Sequence, residues 1–131
     1  MAGTLYTSYF YRFVHKEDVL DKNDVTIIIA RHLQDWIPKE LFNKHMKDLA
    51  PSTGLRYEYK DGKIDDNEFR AEYIKEIYSS SKGKMCIEEI KSILDSGKNV
   101  YIYCYESDFR KCHRLPLAEV INAYGYAVVL R

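Results

Sequence analysis

Reactive side chains are concentrated in one segment of the chain, residues 104–114 (CYESDFRKCHR). The segment holds two cysteines, acidic side chains, a histidine and two arginines. Thiolates are strong nucleophiles, and they require positive surroundings and a nearby proton acceptor. Because the segment offers both, it predicts nucleophilic catalysis by Cys104 or Cys112. Glu106 and His113 are the candidate acid–base partners.

The position of this segment predicts an anion site. It begins at the end of an apolar run, VYIYC, and finishes where a helical pattern starts. In open α/β sheets ligands bind at the carboxyl ends of strands, and a helix N-terminus presents N–H groups that attract anions. Arg114 adds positive charge, which lowers the pKa of a nearby thiol. We therefore expect Arg114 to bind a small anionic ligand, with nucleotide-like compounds as the natural class.

The same segment resembles the signature of the YeaO-like family, also called domain of unknown function 488. The resemblance rests on Cys104-x-Glu106, five intervening residues and Cys112-His113-Arg114. Further blocks resemble the family across most of the chain: residues 7–10, 29–31 with Trp36, 49–52 and 69–73. The resemblance implies a small α/β fold with a candidate site at the signature. It identifies neither a particular reaction nor whether a cofactor is bound.

Five further residues are candidate ligand contacts. Arg31 follows a buried strand, and parallel strands bring their carboxyl ends to one edge of a sheet, so Arg31 can approach the segment. The others are polar or aromatic side chains suited to a pocket wall: Ser8, Tyr9, Trp36 and Tyr73. The chain has 12 tyrosines, an excess that agrees with a lined cleft.

Two sharper interpretations use the same segment. Cys104 and Arg110 have the C-x5-R spacing of cysteine-dependent phosphatases, but the acidic residues between them repel phosphate and no glycine lets the backbone approach it. Cys104, Cys112 and His113 are metal-ligand types, yet they lack the short CxxC pair of structural zinc sites. Adjacent Cys112 and His113 are also poorly placed to reach one ion. The phosphatase-like enzyme stays a less favoured alternative, and we expect no metal site.

Two alternatives to catalysis remain open. A nucleotide- or anion-binding module, or a regulatory protein, would use Arg114 and the aromatic rings without consuming a thiol. A Cys104–Cys112 disulfide would make a redox switch if the two Cα atoms lie within about 7 Å. Replacing a cysteine by serine separates these cases, because it removes the activity of an enzyme and leaves ligand binding by a module intact.

Hydrophobic patterns predict the elements that position the segment. Strands are expected at residues 5–13, 25–31, 100–105 and 126–130, where β-branched and aromatic residues form runs. Helices are expected at residues 39–49, 65–78, 85–94 and 115–124 from apolar residues at helical spacing. The inner faces of the first two are predicted to be Leu41, Phe42 and Leu49, and Phe69, Tyr73 and Ile77. Residues 50–54 and 79–83 are predicted breaks.

Strands that alternate with helices predict an α/β fold. We expect a single three-layer domain over residues 1–131, with a mostly parallel central sheet flanked by helices in a Rossmann-like arrangement. One domain also fits the length, since a chain of 131 residues can bury about two-thirds of its unfolded surface.

The composition disfavours several other classes of protein. Lys and Arg number 20, as do Asp and Glu, and the resulting net charge of zero disfavours broad nucleic-acid binding. No apolar run reaches the roughly 20 residues of a membrane span, and the N-terminus lacks a signal-peptide pattern. Three cysteines, an odd number, favour free thiols in a reducing compartment. We therefore expect a cytoplasmic protein.

Overall fold

A five-stranded sheet forms the centre of the fold in the computed structural model, which describes residues 1–131. Its strands are β1 (Leu5–Tyr9), β2 (Val25–Ile28), β3 (Lys44–His45), β4 (Val100–Cys104) and β5 (Val128–Val129). They lie in the order β3-β2-β4-β1-β5, and every pairing is parallel. This confirms the predicted α/β fold with its parallel central sheet. The narrower Rossmann-like arrangement stays a prediction.

Five helices complete the fold: α1 (Phe10–Val14), α2 (Thr53–Lys60), α3 (Asp66–Ser79), α4 (Ser81–Asp95) and α5 (Arg114–Ala123). Helices α2 to α5 pack their apolar residues on one face of the sheet, where the larger core forms. Helix α1 and the segment after β2 cover the other face with a smaller core rich in aromatic rings. None of these helices has both the length and the apolar character that crossing a membrane requires.

Strand β4 lies between β1 and β2 and is buried along its whole length. Successive side chains of a strand point to opposite faces of its sheet. Accordingly, Ile102 and Cys104 join the larger core beneath the helices, whereas Tyr101 and Tyr103 join the smaller core. The alternation therefore fixes the side of the sheet on which the Cys104 thiol lies.

Helix α3 confirms the helix predicted at residues 65–78 and its inner face. Phe69, Tyr73 and Ile77 are all buried in the larger core. Asp65 precedes the helix and accepts a hydrogen bond from the Glu68 N–H at 2.8 Å, while the Glu68 carboxylate accepts one from the Asp65 N–H at 3.2 Å. This reciprocal pair is a capping box, which satisfies two N–H groups that a helix start leaves free.

Replacement of Asp65 by alanine is expected to lower the free energy of unfolding by about 1 kcal/mol, because the N–H of Glu68 loses its acceptor. Urea unfolding followed by circular dichroism measures the change. Asp61→Ala is the matched control, since Asp61 lies just after α2 and caps no helix N-terminus. Equal losses in the two variants would contradict a capping role for Asp65.

The helix predicted at residues 39–49 is wrong. The structure has short 3-10 turns at Lys39–Leu41 and Lys47–Leu49, with β3 between them. Asn43 explains the change, because its side-chain oxygen accepts a hydrogen bond from the Thr26 N–H at 2.7 Å and so holds this stretch beside β2. The predicted inner face also fails in part: Phe42 and Leu49 are buried, but Leu41 is 60% exposed.

The two predicted breaks are shorter than expected. Helix α2 begins at Thr53, and the Ser52 hydroxyl caps it by accepting from the Leu55 N–H.

Residues 79–83 form no flexible break, because α4 begins at Ser81. Gly83 allows α3 and α4 to meet closely, since a Cβ at this position would lie 2.7 Å from the Ile77 carbonyl oxygen. The helix predicted at 85–94 therefore begins four residues earlier than expected.

The strand predicted at residues 5–13 ends at Tyr9, because the chain turns into α1. A strand would send Phe10 and Phe13 to opposite faces. The helical turn instead brings both rings onto Phe42, with centroid distances of 5.6 and 4.3 Å. The other predicted strands and the last helix are present with shifted ends, and β5 is the most reduced, at two residues.

Candidate functional site

Three predicted catalytic residues, Cys104, Cys112 and His113, lie together beneath the carboxyl end of β4. The Nδ1 atom of His113 lies 3.7 Å from the Cys112 sulfur and 4.0 Å from the Cys104 sulfur. The two sulfurs and Nδ1 all lie within 4.8 Å of one another. The exposed fractions of these residues are only 7%, 5% and 7%, respectively. The structure thus assembles two thiols and an imidazole in a nearly closed site.

The backbone around Cys112 explains why two adjacent residues reach the same place. Cys112 is extended, with φ −127° and ψ 151°, whereas His113 is helical, with φ −64° and ψ −13°. Neighbouring side chains point apart in a strand, but the change to helical geometry at the start of α5 turns both toward Cys104. The expectation that the adjacent Cys112 and His113 are poorly placed to reach one point was therefore wrong.

The orientation of the His113 ring is fixed from two sides. Its Nε2 lies 2.9 Å from the carbonyl oxygen of Ile29, which follows β2. A carbonyl can only accept, so Nε2 carries a proton, and in the neutral ring Nδ1 is the acceptor that faces the thiols. The Tyr73 ring packs against the imidazole at a centroid distance of 5.5 Å, and its hydroxyl donates to the Leu49 carbonyl at 2.6 Å. Tyr73 thus supports His113.

The two thiols of the site differ strongly in acidity. A hydrogen bond from the Cys112 thiol is the largest cause that lowers the pKa of Cys104 to about 7. Burial opposes this shift, whereas the backbone N–H groups of Glu106 and Tyr105 and the charge of Arg114 reinforce it. Burial raises the pKa of Cys112, and the neighbouring Cys104 raises it further. The site therefore favours a thiolate at Cys104 and a protonated thiol at Cys112.

Two other residues of the predicted segment act through the backbone. Arg114 is fully buried, and its guanidinium donates to the carbonyls of Glu106, Ser107 and Arg131. It also lies over the Tyr9 ring, 5.6 Å from the centroid. The Glu106 side chain is exposed and accepts from the Asp108 N–H at 3.0 Å. Arg114 and Glu106 thus shape the loop after β4, and that loop supplies the amides beside Cys104.

The remaining predicted contacts are spread around the sheet. Arg31 is exposed, and its guanidinium donates to the Pro51 carbonyl at 3.2 Å. Trp36 is 52% exposed and belongs to a loop that Tyr105 holds, because the Tyr105 hydroxyl accepts from the Gln34 N–H at 2.8 Å. Ser8 is buried and donates to Asp18, which lies on the opposite side of the sheet from Cys104. The structure does not bring Ser8 to the thiols.

The phosphatase-like spacing of Cys104 and Arg110 finds no support in the geometry. Arg110 is exposed, and its guanidinium donates to both carboxylate oxygens of Asp108, at 3.0 and 3.1 Å. A phosphatase loop would turn this arginine toward the thiolate. The guanidinium instead forms an ion pair within its own turn.

A buried carboxylate network escaped the sequence prediction. Asp18 accepts hydrogen bonds from Ser8 at 2.5 Å, Tyr103 at 2.9 Å, Arg12 at 2.8 Å and Arg131 at 3.0 Å. Ser8 and Arg12 lie within ten residues of Asp18, but Tyr103 and Arg131 are 85 and 113 residues away. The residues form no recognisable motif, so the sequence pattern does not predict the network. The network lies at the smaller core, where Tyr103 packs, on the opposite face of the sheet from the thiols.

Comparison with known proteins identifies one family. A sequence model described as the active DUF488-N3 subclade matches residues 9–125, which include the whole segment 104–114. No curated protein and no solved structure matches the chain.

Proposed function

The chain belongs to the DUF488 (YeaO-like) family, and we propose that it is an enzyme whose nucleophile is the Cys104 thiolate. The observation that carries the proposal is the geometry of the buried site, in which His113 Nδ1 lies 3.7 Å from the Cys112 sulfur and 4.0 Å from the Cys104 sulfur. The hydrogen bond from Cys112 lowers the pKa of Cys104 to about 7, which agrees with this role. An activated thiolate with a nearby base is the arrangement that covalent thiol catalysis needs. The description of the family as an active subclade agrees with this role.

In the proposed reaction each residue has one part. The Cys104 sulfur forms a bond to an electrophilic atom of the substrate, and the bond from that atom to its leaving group breaks with its electron pair. Water then displaces the sulfur, and Nδ1 of His113 accepts the proton of that water. The Cys112 thiol donates a hydrogen bond to the thiolate before attack and again when the thiolate is released.

The proposed substrate is a small anionic or nucleotide-like molecule. Cys104, at 7% exposure, admits only a narrow reacting group. Exposed arginines at the same edge of the sheet favour negative charge: Arg31 lies beside Pro51, and the charge of Arg56 acts on the Tyr105 phenol. Trp36 offers a partly exposed ring for a base or sugar. We place this chemistry in a reducing compartment such as the cytoplasm, where the thiols stay free.

The pH dependence of alkylation tests the proposed nucleophile. With a pKa of about 7, alkylation of Cys104 by iodoacetamide is expected to rise about fivefold between pH 6 and pH 7 and less than twofold above it. Cys112 should stay nearly unreactive over the same range. Peptide mass spectrometry of the folded protein reads each cysteine separately. A Cys104 midpoint at or above pH 8.5 would overturn the nucleophile.

A matched pair of variants separates catalysis from binding. Cys86→Ser is the control, because Cys86 lies half-buried on α4 and away from the three site residues. A panel of phosphorylated and nucleotide-like compounds should be turned over by Cys86→Ser and not by Cys104→Ser. If Cys104→Ser keeps turnover, Cys104 is not the nucleophile. Binding by both variants without turnover by either would favour the non-catalytic module.

A further inference from the structure

We propose that the sulfurs of Cys104 and Cys112 and the Nδ1 atom of His113 together bind one Zn²⁺ ion, which blocks the nucleophile. The binding part of this inference rests on geometry alone, whereas the blocking part rests on the proposed function. Zn²⁺ takes thiolate and imidazole ligands, and the two-cysteine, one-histidine set occurs with an open fourth position.

The distances fit a shared ion. In a tetrahedral site with the usual Zn–S and Zn–N lengths, sulfur and nitrogen ligands lie about 3.5 Å apart and two sulfurs about 3.8 Å apart. The observed sulfur-to-Nδ1 distances are 3.7 and 4.0 Å, and no pair exceeds 4.8 Å. Small rotations of the two cysteine side chains would close the difference.

The surroundings of His113 also fit a metal ligand. A metal-bound histidine commonly donates its other ring N–H to a backbone carbonyl or carboxylate, which fixes the ring and its tautomer. Here Nε2 donates to the Ile29 carbonyl at 2.9 Å, and Tyr73 packs against the ring edge-on. Nδ1 therefore points its lone pair at the two sulfurs without any rearrangement of the histidine.

Zinc and an electrophile would compete for the same lone pair. A sulfur that coordinates Zn²⁺ cannot at the same time attack a substrate, so the loaded protein should be inactive as a nucleophile. The donor group contains three residues, so the fourth position of a tetrahedral ion would be taken by water or a small anion.

Zinc titration of the chelator-treated full chain tests the site. One equivalent of Zn²⁺ is expected in native mass spectrometry, and Co²⁺ in its place should give thiolate charge-transfer absorption with tetrahedral d–d bands. Cys104→Ser, Cys112→Ser and His113→Gln should each weaken binding at least about tenfold. The controls are Cys86→Ser and His45→Gln, since His45 Nε2 also contacts a backbone carbonyl, that of Ala30, without joining the site.

Alkylation of the wild-type protein gives a second readout that needs no variant. Zinc should protect Cys104 while Cys86 stays as reactive as before. Absence of stoichiometric binding, octahedral Co²⁺ spectra or equal affinity in the site and control variants would overturn the inference. The two proposals fail separately: zinc binding with an unreactive Cys104 in the metal-free chain would remove only the nucleophile. A reactive Cys104 with no zinc binding would remove only the metal site.

Discussion

Replacement of Arg114 by alanine is expected to lower the free energy of unfolding by about 3–5 kcal/mol, since each carbonyl that loses a charged donor costs about 1–3 kcal/mol. The guanidinium is fully buried and donates to the carbonyls of Glu106, Ser107 and Arg131. Alanine also leaves a cavity beside Tyr9, over which the guanidinium lies. Urea unfolding measures the loss.

The same replacement should also raise the pKa of the Cys104 thiol. The positive charge of Arg114 helps to lower the pKa of Cys104, and the loop that Arg114 holds carries the amides that hydrogen-bond the sulfur. We therefore expect the alkylation midpoint of Cys104 to move upward from about pH 7 in Arg114→Ala. Arg114→Lys keeps the charge but loses the planar guanidinium with its several donors. Compared with Arg114→Ala, it should bring the alkylation midpoint part of the way back toward the wild-type value and recover little of the lost stability.

Arg110→Ala is the matched control for this prediction. Arg110 lies in the same loop but is exposed and pairs only with Asp108, and exposed pairs contribute little. The control should change neither the stability nor the Cys104 midpoint measurably. If Arg114→Ala behaves like Arg110→Ala, the buried hydrogen bonds do not hold the loop.

These contacts change the interpretation of the positive charge in segment 104–114. The sequence predicts Arg114 as a ligand contact, and in the structure its donors are engaged with backbone carbonyls. Arg114 is better described as a positioning residue that also contributes charge to Cys104. In the proposed mode of binding, the exposed Arg31 and Arg56 then remain as cations for an anionic substrate.

Local patterns were sufficient for the central elements of the fold. Strand β4 is a continuous apolar run, and helix α3 has both an apolar stripe and a capping signal, so each is determined by its own residues. Strand β3 is different, because it exists through the contacts of Asn43 with Thr26, which lie 17 residues apart. Propensity within residues 39–49 could not show that such a partner would outweigh the helix.

In the candidate site, too, some features follow from local residues and others from distant contacts. Residue types alone located the thiols and His113 in one segment. The tautomer of His113 depends on the Ile29 carbonyl, 84 residues away in the sequence. The lowered pKa of Cys104 depends first on the hydrogen bond from Cys112. Both follow from tertiary packing, so the sequence could name the reactive groups without ranking the two thiols.

Replacement of Asp18 by asparagine is expected to cost about 3 kcal/mol at pH 7, because it removes a buried charge that two arginines and two hydroxyl groups surround. The Asp18 side chain has no exposed surface. An amide offers one acceptor oxygen in place of two, so either the guanidinium groups of Arg12 and Arg131 or the hydroxyls of Ser8 and Tyr103 lose their partner.

The loss should depend on pH with a definite sign. Burial alone would raise the pKa of Asp18, but hydrogen bonds from Ser8, Arg12 and Tyr103 outweigh it and hold the pKa below its usual 3.8. A carboxyl group whose folded-state pKa is depressed stabilises the fold above its unfolded pKa, and this contribution disappears as the pH falls through the folded-state value. The wild type should therefore lose stability below about pH 4, while Asp18→Asn changes less.

Urea unfolding at pH 7 and near pH 3 tests this dependence, with Asp35→Asn as the exposed control. If the difference in the free energy of unfolding between wild type and Asp18→Asn is the same at both pH values, the network acts through shape and not through charge. The effect should also extend beyond the smaller core, because Tyr103 precedes Cys104 on β4 and pairs in register with Ser8 on β1. Strand β4, which carries Cys104, and its neighbour β1 therefore both depend on one buried carboxylate on the opposite face of the sheet.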